Sequence, residues 1–273
     1  MLLIGAMLLK YMYYIGMAAM LAVSLLTFKK FGLNIFQALL FTVVAFLSDG
    51  LGAFLMGKVY TSVLASIGGT ETVNYAIYGA VFLTPILVMA SAAVIKQPWR
   101  RIIDMIALSE MFARAFGKLG CLFGGCCPGF VWEHGIYNAV HEKNMFPSAL
   151  LEFITMIIII IIGFIFAFSS KKYVPGSLYP LTALLYAGTR FFWEFTRFYT
   201  YEAERHLILG MSLWQFCSII AAVLSVMWLI GIKNDWLGKA KAYAEAKQLE
   251  KAEEERKARA EKRKNKKKKS KKR

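Results

Sequence analysis

The sequence contains little cysteine, the residue whose disulfides crosslink small secreted proteins. It has four cysteines in 273 residues, and three of them, Cys121, Cys126 and Cys127, lie within one short segment. Cysteines this close together in the sequence do not form a disulfide framework that links distant parts of the chain. No internal repeat of roughly 20–50 residues is present, which argues against a repeat architecture. No small-residue cleavage site follows the first apolar run, so a cleaved signal peptide is not expected.

Charged residues are also sparse outside the C-terminal end. Hydrophobic residues make up 58% of the chain, against about 45–50% in ordinary soluble domains. The net charge is +16, but the segment from Lys233 to Arg273 alone holds 18 Lys and Arg against 7 Asp and Glu. The basicity therefore belongs mainly to a tail, and a specific nucleic-acid partner is not expected.

Seven apolar runs are long enough to cross a bilayer, which needs about 20 residues. They predict an all-α, polytopic membrane protein of about seven helices. The fourth run contains Asp104, Glu110 and Arg114, which should face a polar interior because lipid-exposed charges are costly. The predicted spans are residues 11–28, 33–56, 73–95, 102–117, 149–168, 177–197 and 211–232.

Positive charge alternates between successive loops, which predicts the orientation of the spans. Basic residues follow spans 1, 3, 5 and 7, and cytoplasmic loops are the ones rich in Lys and Arg. This pattern places the N-terminus outside and the C-terminus in the cytoplasm. The domains predicted are a transmembrane part, 1–235, and a basic cytoplasmic tail, 236–273, helical and then disordered, that attracts anionic lipid. The basic loop residues are Lys29, Lys30, Lys96, Arg100, Arg101, Lys171, Lys172 and Lys233.

The first unusual segment, residues 117–129, reads GKLGCLFGGCCPG. Its five glycines and one proline disfavour a regular helix. Irregular backbone at membrane depth occurs inside protein or beside a watery cavity. We therefore expect a loop that lines a site and presents Lys118 to it; a tight re-entrant turn that serves packing is the alternative.

Two further segments carry polar groups near the same membrane face. Arg190, Glu194 and Arg197 have the i, i+4, i+7 spacing of one helical face. A guanidinium matches phosphate geometry, which predicts an anion site, although an Arg–Glu pair at the interface also fits. The segment FPSALLE, residues 146–152, predicts a helix start followed by Glu152. Together the three segments predict an outward-facing cavity suited to a phospholipid head group.

At these segments the chain resembles the prolipoprotein diacylglyceryl transferase family. The glycine frame of residues 117–129 is similar to the family signature, in the form of a branch that carries cysteines there. FPSALLE resembles the family's H-P-[ST]-Q-L-Y-E. YAGTRFFWEFTR, residues 186–197, resembles Y-x-x-x-R-F-x-x-E-x-x-R, and GMSLWQFCSI, residues 210–219, resembles the segment that opens the last span.

The resemblance implies an enzyme of the bacterial plasma membrane that acts in lipoprotein biosynthesis. Such an enzyme transfers a diacylglyceryl group from phosphatidylglycerol to the lipobox cysteine thiol of a secreted prolipoprotein, without a cofactor or metal. It gives catalytic roles to Arg190, Lys118 and Glu194. Arg190 and Lys118 would bind the phosphate, and Glu194 and Arg197 would orient them. The substrate-binding positions implied are Arg197, Tyr78, Gly117, Gly120, Cys121, Gly125, Cys126, Gly129 and Glu152.

The chain departs from the family pattern in ways that leave other functions open. Lys118 stands where the signature usually has arginine, and Tyr78 stands in place of the histidine of an H-G-G motif. One alternative is a non-catalytic protein that binds lipid or lipoprotein. Another is a metal or redox site built on the cysteines, with His134 and His141 downstream, although adjacent cysteines seldom bind one ion.

Overall fold

The structure, a computed structural model, describes residues 2–69, 75–169 and 173–235. In these ranges seven α-helices form, and each predicted span overlaps one of them. Five of the helices, α1, α2, α3, α5 and α7, are long and apolar enough to cross a membrane. The helices are α1 (Leu2–Thr27), α2 (Ile35–Ser66), α3 (Ile77–Val94), α4 (Trp99–Gly124), α5 (Ser148–Ser169), α6 (Leu178–Trp193) and α7 (Leu213–Lys233).

Residues up to Leu229 form one compact unit, and Ile230 begins a second one. The described part of the second unit, Ile230–Asp235, completes α7 and the turn after it. The predicted tail, 236–273, and the loop residues Lys171 and Lys172 lie outside the described residues.

Helix α4 lies at the centre of the first unit. Every residue from Ile102 to Glu110 is buried, and α4 packs against α1, α3, α5 and α6. A helix enclosed by other helices needs no continuous apolar surface, which explains how α4 accommodates charge. The prediction that its ionisable residues face the protein interior is confirmed.

Asp104 fixes the start of α6. Its carboxylate accepts hydrogen bonds from the backbone N–H groups of Gly176 at 2.6 Å, Leu178 at 2.9 Å and Tyr179 at 3.2 Å. The Tyr173 hydroxyl donates to the same carboxylate at 2.9 Å. First-turn N–H groups have no partner within their own helix, so a carboxylate there satisfies them.

The other charged residues of α4 form a separate buried group. Arg114 pairs with Glu110 one turn earlier and lies 3.5 Å from an Asp49 carboxylate oxygen of α2. The Thr84 hydroxyl of α3 donates to Asp49 at 2.7 Å. This group links α2, α3 and α4 across the bundle.

Helices α2 and α3 touch through two glycines. A Cβ atom at Gly52 would overlap the Gly79 carbonyl, and one at Gly79 would overlap the Gly52 carbonyl. Small residues permit this approach of two backbones, as is common between membrane helices.

Gly52→Ala should therefore lower the unfolding temperature in detergent, because overpacking costs about 1–3 kcal/mol. Gly50→Ala on the same helix is the matched control, since its Cβ would meet nothing within 4 Å. Alanine there should be neutral or slightly stabilising, because glycine weakens a helix. Equal unfolding temperatures for the two variants, measured by differential scanning fluorimetry, would contradict the close contact.

The described residues are mostly helical, as predicted, but a β-hairpin that the all-α prediction lacked lies among the helices. Strand β1 (Val131–Asn138) pairs antiparallel with β2 (Lys143–Met145), and the register is irregular between Val131 and Ile136. The segment lies between α4 and α5 and is too polar to resemble a span. The end of the bundle that carries it, where α4 and α6 end and α5 begins, is called the hairpin end below.

Candidate functional site

The glycine-rich segment 117–129 is mostly helical, which corrects the prediction of an irregular loop from Gly117 onward. Helix α4 continues to Gly124, and Gly125 ends it with a left-handed φ of 69°. A Cβ at Gly120 or Gly124 would lie 3.1–3.2 Å from the side chain of Leu9. Two of the glycines therefore let α4 approach α1, which offsets their low helix propensity.

Gly129 joins the three predicted segments at the hairpin end. Its N–H donates to the Phe146 carbonyl at 2.8 Å, and it forms an isolated bridge with Arg197. A Cβ at Gly129 would lie 2.5 Å from the Ser148 hydroxyl oxygen, so a side chain there requires a backbone shift. Gly117, in contrast, has nothing within 4 Å of its Cβ position.

Glu152 lies at the centre of the site. One carboxylate oxygen is 2.8 Å from Lys118 Nζ and 3.8 Å from Arg190 Nε. The other oxygen pairs with Arg197. The first turns of α5 thus place a single carboxylate among three cations from three other segments, and all four side chains are buried.

Glu194 supports the arginine of α6. It pairs with Arg190 one turn earlier and accepts hydrogen bonds from the hydroxyls of Tyr199 and, at 3.3 Å, Ser212. We call Lys118, Glu152, Arg190, Glu194 and Arg197 the Glu152 cluster. Its three cations and two carboxylates leave one positive charge in excess, an arrangement that is costly to bury without an anion.

Several donors in this cluster or beside it are not used. The Nε atoms of Arg190 and Arg197 and the Tyr186 hydroxyl are buried and make no hydrogen bond to the described residues. Tyr186, Arg190 and Glu152 line one narrow crevice between α5 and α6. Buried donors without acceptors cost about 1–3 kcal/mol each. The crevice leaves no room for a water molecule, so an anion would reach these donors only after α5 and α6 move apart there.

Arg197 does not continue the helical face of Arg190 and Glu194, contrary to the sequence prediction. Helix α6 ends at Trp193, a single 3₁₀ turn covers Glu194–Thr196, and Arg197 has extended backbone with ψ of 142°. From there its guanidinium reaches Glu152 and donates to the Cys127 carbonyl at 2.9 Å. The helical spacing that the sequence predicts for these three residues therefore holds for Arg190 and Glu194 but not for Arg197.

The three clustered cysteines converge. Their Sγ atoms all lie within 4.8 Å of one another, with Cys121 on the last turns of α4 and Cys126 and Cys127 just after it. Hydrogen bonds from the other two thiols, and then the charges of Lys118 and Arg197, hold the pKa of Cys127 well below its usual value. Within the described ranges the group contains these three cysteines and no histidine.

A cavity of about 230 Å³ opens beside these sulfurs at the hairpin end. Cys121 and Cys127 line it together with Pro128, Asn138 and Phe146. The two histidines contact other groups: the His134 ring lies against Trp132, and the His141 ring lies against Phe198.

A family profile described as prolipoprotein diacylglyceryl transferase matches residues 11–231 of the chain. The chain belongs to this family. A phosphatidylglycerol–prolipoprotein diacylglyceryl transferase of Clostridium tetani (strain Massachusetts / E88) is 26% identical over 160 residues, which cover 56% of this chain and 62% of the relative. Transferase 2 of Clostridium perfringens (strain 13 / Type A) is 24% identical over 131 residues, or 45% and 50%. The matches thus span less than two thirds of these relatives.

Membership of the prolipoprotein diacylglyceryl transferase family confirms the predicted resemblance. Tyr78, which stands where the family motif has histidine, is buried on α3 and shares a hydrogen bond with the Ser218 hydroxyl. Its ring lies 6.1 Å from that of Tyr186 and stacks on Trp214 at 6.3 Å. The structure therefore places Tyr78 against Tyr186, which lies one turn before Arg190 on α6.

Three groups that contact or line the site were not predicted from the sequence. Tyr186 opens the segment resembling the family's Y-x-x-x-R motif, so that motif contained the signal. The hydroxyls of Tyr199 and Ser212 reach Glu194 only in the folded structure, and neither position stands out in the sequence. Glu152 was expected to contribute to the site. Its position near the start of a predicted helix did not indicate that it pairs with three cations at the centre of the site.

Proposed function

We propose that this protein transfers a diacylglyceryl group from phosphatidylglycerol to the lipobox cysteine thiol of a secreted prolipoprotein. The observation that supports this most is the Glu152 cluster. It holds an excess positive charge and unused guanidinium donors inside a helix bundle, where a lipid phosphate is an available anion. The names of the two clostridial relatives give the same donor and acceptor.

The cluster suits the departure of a phosphate. Negative charge develops on the leaving glycerol phosphate as its bond to the diacylglyceryl carbon breaks, and preorganised donors stabilise that charge. In this proposal Arg190 and Lys118 bind the phosphate. Glu194 and Arg197 orient them, and Glu152 holds the three cations together until the substrate adds its charge.

The pocket beside the cysteines suits the acceptor. Its volume of about 230 Å³ accommodates small apolar side chains, and it is lined by Gly125, Cys121 and Pro128 next to the Glu152 cluster. The remaining signature glycines, Gly120 and Gly129, act by allowing the close packing that shapes this pocket. Gly117 has open space around it, so we expect its substitution to change diacylglyceryl transfer least among these glycines.

The proposed topology has seven spans, with the hairpin end outside and the C-terminus in the cytoplasm of a bacterium. Enclosure by other helices lets α4 span despite its charges, and the 16 residues of α6 are continued by the 3₁₀ turn. The basic tail would then lie against anionic lipid of the inner leaflet, at about 1 kcal/mol per basic residue near the surface.

An impermeant maleimide tests this orientation. In a variant with all four cysteines changed to serine, His134→Cys on the exposed face of β1 should be labelled in intact cells. Ser270→Cys in the tail should be labelled only after the membrane is opened. Labelling of Ser270→Cys in intact cells, with His134→Cys protected, would reverse the orientation.

Complementation tests the function itself. A bacterial strain depleted of its own diacylglyceryl transferase should recover growth and lipidated lipoprotein when it expresses this chain. Gly117→Ala should complement as well as the wild type, whereas Arg190→Ala should fail at equal membrane abundance. Failure of the wild-type protein, present in the membrane at normal amounts, would contradict the proposed function and favour a binding role.

A further inference from the structure

The three cysteine sulfurs are close enough to act as one ligand set. Cys121, Cys126 and Cys127 place their Sγ atoms within 4.8 Å of one another. A tetrahedral zinc ion with Zn–S bonds of about 2.3 Å holds its sulfurs about 3.8 Å apart. Side-chain movements of about 1 Å therefore suffice to bring all three sulfurs to one ion. The segment between them ends α4 at Gly125, whose left-handed backbone turns the chain back toward Cys121.

The ligand set has three members, which is characteristic of a site with an open position. Structural zinc sites have four protein ligands, whereas catalytic ones have three and leave the fourth position to a substrate or water. No histidine or carboxylate of the described ranges joins the three sulfurs. Cys121 and Cys127 line the cavity of about 230 Å³, so an open position would be accessible to a substrate there.

The charge of the neighbouring residues fits a divalent cation. Three thiolates and one divalent ion carry one negative charge in total. The adjacent Glu152 cluster carries one positive charge in excess, and Arg197 connects the two groups through its hydrogen bond to the Cys127 carbonyl. Before either substrate binds, the sum is neutral, which limits the cost of burying these charges. Soft thiolate ligands select zinc over magnesium or calcium.

The Glu152 cluster provides no evident base for a thiol. Glu152 is engaged by Lys118, Arg190 and Arg197, and Glu194 is engaged by Arg190 and two hydroxyls. A carboxylate held by cations is a poor proton acceptor. A thiol that binds a metal ion needs no such base, because coordination deprotonates it.

We propose that Cys121, Cys126 and Cys127 bind a zinc-class divalent cation whose fourth coordination position takes the acceptor thiol. The identity of that thiol as the acceptor rests on the proposed function. The thiol proton passes to water as the sulfur coordinates. The metal-bound thiolate then attacks the diacylglyceryl carbon, the C–S bond forms as the C–O bond to phosphate breaks, and the electron pair leaves with glycerol phosphate. The cation keeps its oxidation state.

Metal content tests the ligand set directly. The full chain, purified under reducing conditions, should carry about one zinc per molecule by mass spectrometry. Cys121→Ser, Cys126→Ser and Cys127→Ser should each lower zinc affinity at least ~10-fold. Cys217→Ser on α7 is the matched control, because that thiol is buried away from the cluster, and it should keep its zinc. A wild-type chain that binds no zinc even after reconstitution would overturn the proposal.

Cobalt replacement tests the open position. In the cobalt-loaded protein, a lipobox peptide should increase the thiolate-to-cobalt absorption band, and the same peptide with serine in place of cysteine should not. An identical response to both peptides, or equal transfer rates in metal-free and zinc-loaded protein, would overturn the proposal. A protein that binds zinc and the peptide thiol but transfers no diacylglyceryl group would instead support the cation site and contradict the proposed function.

Discussion

Glu152→Gln is expected to reduce diacylglyceryl transfer at least ~10²-fold, the scale of a lost preorganised electrostatic group. The amide keeps the shape of the side chain but removes the charge that holds Lys118, Arg190 and Arg197 together. Three buried cations would then face one carboxylate, and breaking a buried ion pair costs about 3–5 kcal/mol. The unfolding temperature should fall as well, so transfer is measured at a temperature where the variant is folded.

A second buried carboxylate serves as the control for this substitution. Glu204 is also buried and accepts hydrogen bonds from the Tyr60 hydroxyl and the Tyr201 N–H, but it does not belong to the Glu152 cluster. Glu204→Gln should lower stability with a much smaller loss of transfer. If Glu152→Gln retained transfer within a few-fold of wild type, the cluster would not be the site of reaction.

Arg190→Lys should have an effect of similar size with a smaller loss of stability. Lysine keeps the charge and can pair with Glu194, but it lacks the Nε atom that lies 3.8 Å from Glu152 and donates no hydrogen bond to the described residues. A point charge does not replace a planar fork at a phosphate. We expect kcat/KM for phosphatidylglycerol to fall at least ~10²-fold, mainly through kcat, because the lost interaction strengthens as charge develops on the leaving group.

Arg114 offers a matched control for Arg190. It too is a buried arginine paired with a glutamate one helical turn away, and it lies in a different group with Asp49. Arg114→Lys should lower stability by a similar amount, but it should reduce diacylglyceryl transfer far less than Arg190→Lys does. Equal loss of transfer in the two variants would assign the effect to disturbed buried ion pairs in general and contradict a phosphate role for Arg190.

The helices were predictable because long apolar runs report directly on burial in lipid. The ends of the helices were less predictable, and α4 shows the reason. Its last turns contain Gly120 and Gly124, which alone disfavour a helix, yet Leu9 of α1 packs against them. That packing partner lies more than 100 positions away in the chain, and local propensity does not report it.

The members of the site were recognisable as residue types, but their partners were not. Arg190 and Glu194 pair as their spacing predicts, because i and i+4 residues share a helical face. Arg197 instead pairs with Glu152 of another helix after the backbone leaves the helical conformation. The convergence of three sulfurs from Cys121 and the adjacent Cys126 and Cys127 depends on the turn at Gly125, which spacing alone argued against.

Diacylglyceryl transfer by the purified wild-type chain is the decisive measurement. The zinc-loaded protein is mixed with vesicles of labelled phosphatidylglycerol and a lipobox peptide, and both products are measured by mass spectrometry. We expect a peptide heavier by one diacylglyceryl group on its cysteine and an equimolar amount of glycerol phosphate. A folded, membrane-inserted protein that yields neither product would contradict the proposed function.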